Sequence, residues 1–398
     1  MDRWLVLFTL WTALTLIGWV LYLFAGRADL EPGVASPAMI KYASNVVQLL
    51  CLPGWFLARL FTRHTLLGFW TAPAAIGFGW ACWIALFVTS KRIRAFLIST
   101  PSVKAVDLSR RRMVVDGIFV SAGVAAGGSG VAGVAVTPWA LRTETYSFGI
   151  TDLHSSLVGL RIGIISDTHL GARIPASFIA SAVDRALALN ADVYLLLGDY
   201  LHNDVRLIPS AAKLFAPLVN TGKPVLSVLG NHDWYANGRA MSQALREVGV
   251  ETIDNDARIF DGATRMLTRQ YSDSCMVFAG VGDLEMDDIS FAKALRTTQS
   301  KLPRILLSHQ PDIAESSELA RPEHRVDLIV SGHTHGGQIK LPFLGAPYVP
   351  SRFGTKYVEG IVQGPFCPVL ISRGVGTSIV PVRFNVPPEV VDLTLVRS

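Results

Sequence analysis

The stretch LRIGIISDTH, from Leu160 to His169, decides the fold of this chain. An apolar run that is typical of a strand buried on both faces passes directly into an aspartate and a histidine. Similar apolar runs that end in polar residues recur four times, in VYLLLGD (193–199), VLSVLGNHD (225–233), ILLSH (305–309) and LIVSGHTH (328–335). Because open α/β sheets collect functional groups at the carboxyl ends of their strands, we expect the five motifs to meet in space.

The polar side chains of these motifs are of the types that bind divalent metal ions. Carboxylate, imidazole and amide oxygen together suit Mn, Fe or Zn. Asp199 carries two carboxylate oxygens and could bridge two ions. The candidate metal ligands are Asp167, His169, Asp199, Asn231, His309, His333 and His335.

Some of these motifs, taken alone, also have a purely structural explanation, and the DxH pattern often occurs by chance. The GNHD motif (230–233) consists of turn-forming residues that could cap a helix, and His309 could be a hydrogen-bonded core histidine. Five such motifs in this order, each after a predicted strand, favour a site that performs chemistry.

The region from Thr145 onwards alternates apolar runs with amphipathic stretches, so the sequence predicts an α/β fold. We predict strands at 160–166, 192–197, 224–229, 276–280, 304–308 and 326–331. We predict helices from Phe178 to Leu189, from Leu207 to Leu218 and from Ala240 to Val248. After Gln338 the sequence becomes strand-rich and punctuated by glycine and proline, as in 357–360 and 369–372.

The composition points to membrane segments beside a globular domain, because half of the 398 residues are hydrophobic. Residues 1–144 hold 13 basic and 6 acidic side chains, whereas residues 145–398 hold 23 and 25. The basic surplus accompanies the apolar half, which favours membrane topology over nucleic-acid binding. Cys275 and Cys367 show no CxxC spacing, and we favour buried free thiols over the alternative of a disulfide between them.

We predict that residues 1–144 form an all-α transmembrane region and that residues 145–398 form the globular domain. Trp4–Ala25 is an uncharged apolar run that is long enough to span a bilayer. It is either a retained anchor, which we favour, or a cleaved signal peptide. Leu66–Thr89 is a second predicted span, and Tyr42–Leu60 is either a kinked span or a segment in the membrane interface.

The side of the membrane on which the globular domain lies depends on residues 90–141. The positive-inside rule places the basic loop 90–112 in the cytoplasm. Its SRRRMVV motif (109–115) resembles a twin-arginine export signal, and the alternative is a basic anchor before an ordinary membrane helix. If the Gly/Ala-rich run Ile118–Leu141 spans the bilayer, the chain is a multi-pass inner-membrane protein with a periplasmic domain. If the run is a flexible linker, the domain stays cytoplasmic.

The order DxH, GD, GNH[DE], H, GHxH resembles that of the calcineurin-like metallophosphoesterase superfamily. The end of the chain is similar to the membrane-anchored bacterial branch, which includes twin-arginine-exported phosphoesterases and UDP-2,3-diacylglucosamine hydrolases. The matching tail motifs are GGQ (336–338), LP (341–342), YVEG (357–360), SRGVGT (372–377) and PPE (387–389). The resemblance covers the chain from about Thr145 to its last residue.

This resemblance implies a four-layer α/β/β/α sandwich with two divalent metal ions at the strand ends. It assigns one ion to Asp167, His169 and His335. It assigns the other ion to Asn231, His309 and His333, with Asp199 as the bridge. It also implies that a metal-bridging hydroxide attacks phosphorus, while His232 stabilises the developing charge or protonates the leaving oxygen.

One position departs from the family pattern. The second motif of the family often continues as GDxxD, and its last aspartate orients the catalytic histidine. Here that position is His202. Asp204 or Asp233 could substitute for the missing carboxylate, or His202 could contact the substrate.

We therefore predict a membrane-anchored phosphoesterase that cleaves phosphodiester, phosphomonoester or pyrophosphate bonds. An anchored site favours a lipid-linked substrate such as UDP-2,3-diacylglucosamine, and the export motif suggests the twin-arginine translocase as a partner. The alternative function is a catalytically weakened, metal-binding membrane receptor or scaffold. Its only support in the sequence is His202 in place of the expected aspartate.

Overall fold

The computed structural model describes residues 136–171, 173–295, 301–341, 345–378 and 382–398. The predicted membrane spans, the basic loop and the twin-arginine-like motif lie outside these residues. Within the part of the chain that the structure describes, no helix is long and apolar enough to cross a membrane. The all-α transmembrane part of the predicted fold therefore has no support there. The described end of the Gly/Ala-rich run forms a 3₁₀ turn at Thr137–Trp139.

The described residues fold into two sheets and six α-helices. The strands are β1 (Arg142–Ile150), β2 (Arg161–Ile165), β3 (Val193–Leu196), β4 (Val225–Ser227), β5 (Glu251–Thr252), β6 (Asp256–Asp261), β7 (Met266–Thr268), β8 (Cys275–Gly280), β9 (Arg304–Leu307), β10 (Leu328–Ser331), β11 (Gly360–Gln363), β12 (Pro368–Ile371) and β13 (Glu389–Arg397). The helices are α1 (Ala176–Ala188), α2 (Ile208–Lys213), α3 (Ala216–Val219), α4 (Asn231–Ala236), α5 (Gly238–Glu247) and α6 (Phe291–Ala294).

The first sheet has the strand order β1-β13-β2-β3-β4-β5. Strands β2, β3, β4 and β5 run parallel, so their carboxyl ends share one edge of the sheet. Strand β13 runs antiparallel to β2, and β1 runs parallel to β13. Consequently β1 begins at the edge where β2, β3 and β4 end.

The second sheet has the strand order β11-β12-β10-β9-β8-β6-β7. Its four central strands, β12, β10, β9 and β8, run parallel. Strands β11 and β6 flank them in antiparallel pairing, and β7 closes the sheet as the hairpin partner of β6. The loops that follow β9 and β10 therefore leave the sheet at one common edge.

The two sheets face each other across an apolar layer. Ile164 and Leu195 from the first sheet pack in this layer with Phe278 and Leu307 from the second. Each such side chain stabilises the fold by about 1.5–3 kcal/mol when it is fully buried. The main core on the outer face of the first sheet contains residues of α1 and α5. The outer face of the second sheet is covered by α6, short 3₁₀ turns and loops, which make a thinner fourth layer.

The mixed α/β fold and its central strands are as the sequence predicts. Strands β2, β3, β4, β8, β9 and β10 all fall within one residue of the predicted intervals or inside them. The predicted helix from Leu207 to Leu218 is instead two helices, α2 and α3. Pro217 is the reason, because proline has no N–H to continue the hydrogen-bond ladder of α2. Cys275 and Cys367 are buried free thiols, which confirms the prediction made for them.

The first residues of β1 provide a test of where the folded unit begins. Arg142 to Glu144 pair with β13, and Glu144 also forms an ion pair with Arg373 at 2.6 Å. We expect a fragment of residues 145–398 to be less stable than one of residues 136–398 by about 1–3 kcal/mol, since it lacks this pairing and leaves Arg373 with one fewer partner. Urea unfolding of both fragments measures the difference, and equal midpoints with equal slopes would contradict it.

Candidate metal centre

Five loops at the carboxyl ends of strands bring the candidate ligands to one place. They follow β2, β3 and β4 in the first sheet and β9 and β10 in the second. Three groups of ligand-type atoms form there, and within each group the atoms lie within 4.8 Å of one another. One of them consists of His169, His202 and His232, and the other two, the first and second groups, contain candidate ligands only. The first group consists of Asp167, His169 and His335. The second group consists of Asp199, His309 and His333.

The close contacts within the first group are unfavourable without a cation. The Nε2 atoms of His169 and His335 are 3.0 Å apart, and His335 Nε2 is 3.5 Å from Asp167 Oδ1. Two imidazole nitrogens that face each other at this distance either share one proton or direct their lone pairs at a common positive charge. His169 Nδ1 is buried and has no hydrogen-bond partner among the described residues.

The second group surrounds one oxygen of Asp199. His309 Nε2 is 3.3 Å from Asp199 Oδ2, and His333 Nδ1 is 3.2 Å from His309 Nε2. The other ring nitrogen of His309, Nδ1, donates to the carbonyl oxygen of Leu197 at 2.7 Å. This bond fixes the tautomer that leaves Nε2 free, as second partners of metal-binding histidines commonly do.

Asp199 belongs to the second group and also reaches the first. Its Oδ2 atom is 3.4 Å from His169 Nε2, which belongs to the first group, and 3.3 Å from His309 Nε2, which belongs to the second. Its Oδ1 atom accepts the backbone N–H of His232 at 2.9 Å. The geometry therefore suits the bridging position that the sequence analysis gives to Asp199.

Asn231 is the remaining candidate ligand. It is the first residue of α4, directly after the Gly230 cap, and only 5% of it is exposed. Its side-chain oxygen Oδ1 is buried and accepts no hydrogen bond from the described residues. A buried amide oxygen without a donor is costly, and a metal ion would satisfy it.

The backbone of this centre is unusual as well. Five of the seven candidate ligands have positive φ angles, and these are Asp167, His169, Asp199, His333 and His335, with φ between 46° and 68°. This left-handed region is sparsely populated by residues other than glycine and costs about 1–2 kcal/mol per residue. Such strain persists only where the surroundings enforce it, and it concentrates at functional sites.

Burial sets the charge state of these groups. It lowers the pKa of His333 to about 3 and holds the pKa values of His169 and His335 well below the usual range. Neutral imidazole is the form that binds metal ions. Burial also raises the pKa of Asp167 to about 6. His309 differs, because the Asp199 carboxylate raises its pKa well above the usual range. A divalent ion would take the place of the proton on His309 and balance the buried carboxylates, so the donor set fits divalent ions.

Gly332 provides a test of how tightly the first group is packed. A Cβ atom at this position would lie 2.0 Å from Ser166 Oγ and 2.3 Å from Asp167 Oδ2. We expect Gly332→Ala to displace the Asp167 carboxylate and to lower activity by at least about 10²-fold, since a displacement of about 1 Å can have that effect. The control is Gly159→Ala, where φ is +78° and no atom lies within 4 Å. It should lower stability but keep activity, and equal activities of the two variants would contradict the packing argument.

The structure also shows how His232 is held without the aspartate of the family pattern. His232 Nδ1 lies 2.5 Å from the main-chain carbonyl oxygen of His202, so Nδ1 carries the hydrogen and donates it. Nε2 is then free to take up or release a proton, and it lies 3.4 Å from Ser378 Oγ. The His202 ring stacks on the His232 ring at a centroid distance of 5.0 Å. A backbone carbonyl thus takes the place of a carboxylate.

The two aspartates that the sequence offered as substitutes have other partners. Asp204 is paired with Arg206 at the surface. Asp233 is fully buried, and its carboxylate accepts the N–H groups of Asp199 at 2.8 Å, Tyr200 at 2.9 Å and Gly230 at 3.0 Å. Asp233 therefore positions the loop that carries Asp199. The sequence shows Asp233 as part of the GNHD motif, but it does not show that Asp233 positions this loop.

A buried arginine beside the centre gave no signal in the sequence. Arg383 is fully buried and donates hydrogen bonds to the carbonyl oxygens of Arg373, Gly374, Gly376 and Val386. Its Nη2 atom is 3.4 Å from His335 Nδ1. Arg383 thus joins the end of the chain to the first group of ligands.

Comparisons with known proteins agree with this geometry. The family model described as calcineurin-like phosphoesterase matches residues 160–337, which contain all seven candidate ligands. The phosphodiesterase YaeI of Escherichia coli is 31% identical over 59% of this chain and 82% of its own length. The chain belongs to the calcineurin-like phosphoesterase family. It is a metallophosphoesterase, a metal-dependent hydrolase of phosphoric esters.

Other relatives of this metallophosphoesterase differ in how much of their length this chain covers. The uncharacterized metallophosphoesterase YkuE of Bacillus subtilis is 29% identical over 72% of this chain and 97% of its own length. A zebrafish transmembrane protein with metallophosphoesterase domain is 29% identical over 63% of this chain, but this chain spans only 56% of it. A solved structure, the NAD nucleotidase of Haemophilus influenzae, matches with a TM-score of 0.34 and 16% identity over 55% of this chain and 46% of its own.

Proposed function

We propose that this metallophosphoesterase is a two-metal phosphodiesterase whose ions are held by the two groups of ligands described above. Asp167, His169 and His335 would hold one ion, and Asn231, His309 and His333 would hold the other. Asp199 would bind both. The observation that carries the proposal is the position of Asp199 Oδ2, within 3.4 Å of a histidine from each group.

The chemistry follows from the groups that the chain supplies. Two divalent ions held by these residues would lower the pKa of a water molecule and neutralise charge on the phosphoryl oxygens. Asp233 and the strained loops hold the ligands in place before substrate binds, so little reorganisation is needed. His232 Nε2, whose nearest polar partner is Ser378 Oγ at 3.4 Å, would donate a proton to the leaving oxygen, while the His202 carbonyl keeps the ring oriented.

We further propose that the chain is membrane-anchored through the apolar runs of its first half, with a lipid-linked phosphoester as substrate. The support is the sequence, which holds two long apolar runs before residue 90 and a basic surplus in residues 1–144. The name of the zebrafish relative, a transmembrane protein, is consistent with this proposal. UDP-2,3-diacylglucosamine is one candidate substrate, for a domain on the cytoplasmic side.

A metal add-back experiment tests the proposed function. The full chain is stripped with a chelator and assayed on bis-p-nitrophenyl phosphate, then supplied with Mn, Fe, Zn or Mg. We expect no activity in the stripped chain and recovery with at least one of Mn, Fe and Zn, because the ligand set combines imidazole with carboxylate. A folded chain that stays inactive with every metal would support the receptor or scaffold alternative instead.

A further inference from the structure

The place where the chain enters the phosphoesterase unit is close to the metal centre. Arg142, the first residue of β1, pairs with Glu389, the first residue of β13. Strand β13 runs antiparallel to β2, and the carboxyl end of β2 leads to Asp167. The chain therefore enters at the same edge of the sheet at which the metal centre lies.

Side-chain contacts connect the entering strand to the centre over a short path. Arg373 Nη2 is 2.6 Å from Glu144 Oε1 in β1. The carbonyl oxygen of Arg373 accepts a hydrogen bond from Arg383 at 2.8 Å, and Arg383 Nη2 is 3.4 Å from His335 Nδ1. Two arginines thus separate β1 from a candidate metal ligand.

Three aromatic side chains are exposed at this edge. Trp139 is 44% exposed and packs edge-on against Phe178 in the first turn of α1, which follows β2. Tyr235 is 50% exposed, and its ring lies 5.3 Å from that of His232. Tyr348 is 59% exposed, and its carbonyl oxygen adjoins Gly337 in the GHTHGG loop. Tryptophan and tyrosine are the side chains that proteins place at the interface of a bilayer.

The residues that precede Arg142 in the sequence indicate which kind of surface covers this edge. Arg142 follows directly after the Gly/Ala-rich run Ile118–Leu141, and two longer apolar runs precede residue 90. If these runs lie in a bilayer, the part of the phosphoesterase unit nearest to them along the chain is the edge that carries the exposed aromatic residues. Arg142 is itself exposed there and would meet lipid phosphate groups.

We propose that the edge of the phosphoesterase unit formed by Trp139, Tyr235 and Tyr348 rests on the surface of a lipid bilayer, so that the metal centre opens towards the membrane. The substrate is then a phosphoester in the headgroup of a lipid, which diffuses in the plane of the membrane to the centre. This inference rests on the proposed function for its substrate, whereas the orientation itself can be measured without catalysis.

Depth-dependent fluorescence quenching tests the orientation. The full chain, with Cys51 and Cys82 replaced by serine, is reconstituted into nanodiscs of phosphatidylcholine and phosphatidylglycerol. A nitrobenzoxadiazole label is attached to a cysteine introduced by Tyr348→Cys or, as a second reporter, by Trp139→Cys. The matched control is Tyr271→Cys, because Tyr271 is 38% exposed and precedes β8, at the opposite edge of the second sheet. The quencher is a phosphatidylcholine with a nitroxide on its acyl chain.

We expect the labels at positions 348 and 139 to emit at shorter wavelength and to lose most of their fluorescence to the lipid nitroxide, and the label at 271 to do neither. Labels at all three positions that behave as in water would overturn the proposal. A blue shift without lipid quenching would also overturn it, since it would show a protein partner or second copy on this edge. A chain that does not copurify with the discs would overturn it as well.

Hydrolysis of bis-p-nitrophenyl phosphate by the same discs separates this inference from the proposed function. Active discs with water-exposed labels would refute only the orientation. Quenched labels on a chain that is inactive with every metal would refute the two-metal phosphodiesterase while leaving the bilayer contact in place.

Discussion

Replacing Asp199 with alanine is expected to lower the rate of phosphodiester hydrolysis by at least about 10³-fold, which corresponds to about 4 kcal/mol of transition-state stabilisation. Asp199 is 2% exposed, and its carboxylate contacts His169, His309 and the N–H of His232. Its loss removes a carboxylate that contacts a histidine from each group of ligands. The variant should therefore also bind fewer metal ions, and metal analysis after dialysis measures this directly.

The matched control for this prediction is Asp204→Ala. Asp204 lies five residues further along the same loop, but its carboxylate points to Arg206 at the surface. A surface ion pair of this kind contributes little to stability, so activity and metal content should stay near those of the wild type. An Asp199→Ala chain that keeps both full activity and two ions would show that the bridge is assigned to the wrong residue.

Replacing His232 with alanine is expected to lower the rate by about 10²–10⁴-fold on substrates with a poor leaving group, because general acid catalysis contributes that much. His232 is held by the His202 carbonyl through Nδ1, which leaves Nε2 to deliver the proton. A diester that releases p-nitrophenolate needs little protonation of its leaving oxygen. The loss should therefore be much smaller on bis-p-nitrophenyl phosphate than on a dialkyl diester, and metal content should not change.

Two further variants make this prediction specific to the geometry. His202→Ala keeps the carbonyl that accepts the bond from His232, so we expect a loss below about tenfold, since only the stacked ring is removed. His154→Ala is the remote control, because the His154 side chain contacts only Ser156 in the described residues. If His202→Ala lowered the rate as much as His232→Ala, the side chain of His202 rather than its carbonyl would be the functional group.

The sequence predicted the central fold because its signal is local. Each apolar run of β2, β3, β4, β9 and β10 ends directly before a polar motif, and a buried parallel strand is the simplest structure for such a run. The position of β13 could not be predicted in this way. It inserts between β1 and β2, more than 200 residues away in sequence, and nothing in its own residues specifies that pairing.

The sequence could predict those residues of the candidate site that lie in recognisable motifs. The seven ligand-type residues do, and the structure brings six of them into two groups with the amide oxygen of Asn231 buried nearby. The role of the His202 carbonyl was not predictable, because a main-chain oxygen is present at every residue and only the fold places it. The same holds for Arg383, whose partners are backbone carbonyl groups.

Anomalous diffraction from crystals of the full chain grown with Mn²⁺ is the most direct test of the two-metal centre. We expect two peaks about 4 Å apart, one among Asp167, His169 and His335 and the other among Asn231, His309 and His333, with Asp199 in contact with both. A single peak, or two peaks of which only one contacts Asp199, would contradict the bridging role on which the proposed function depends.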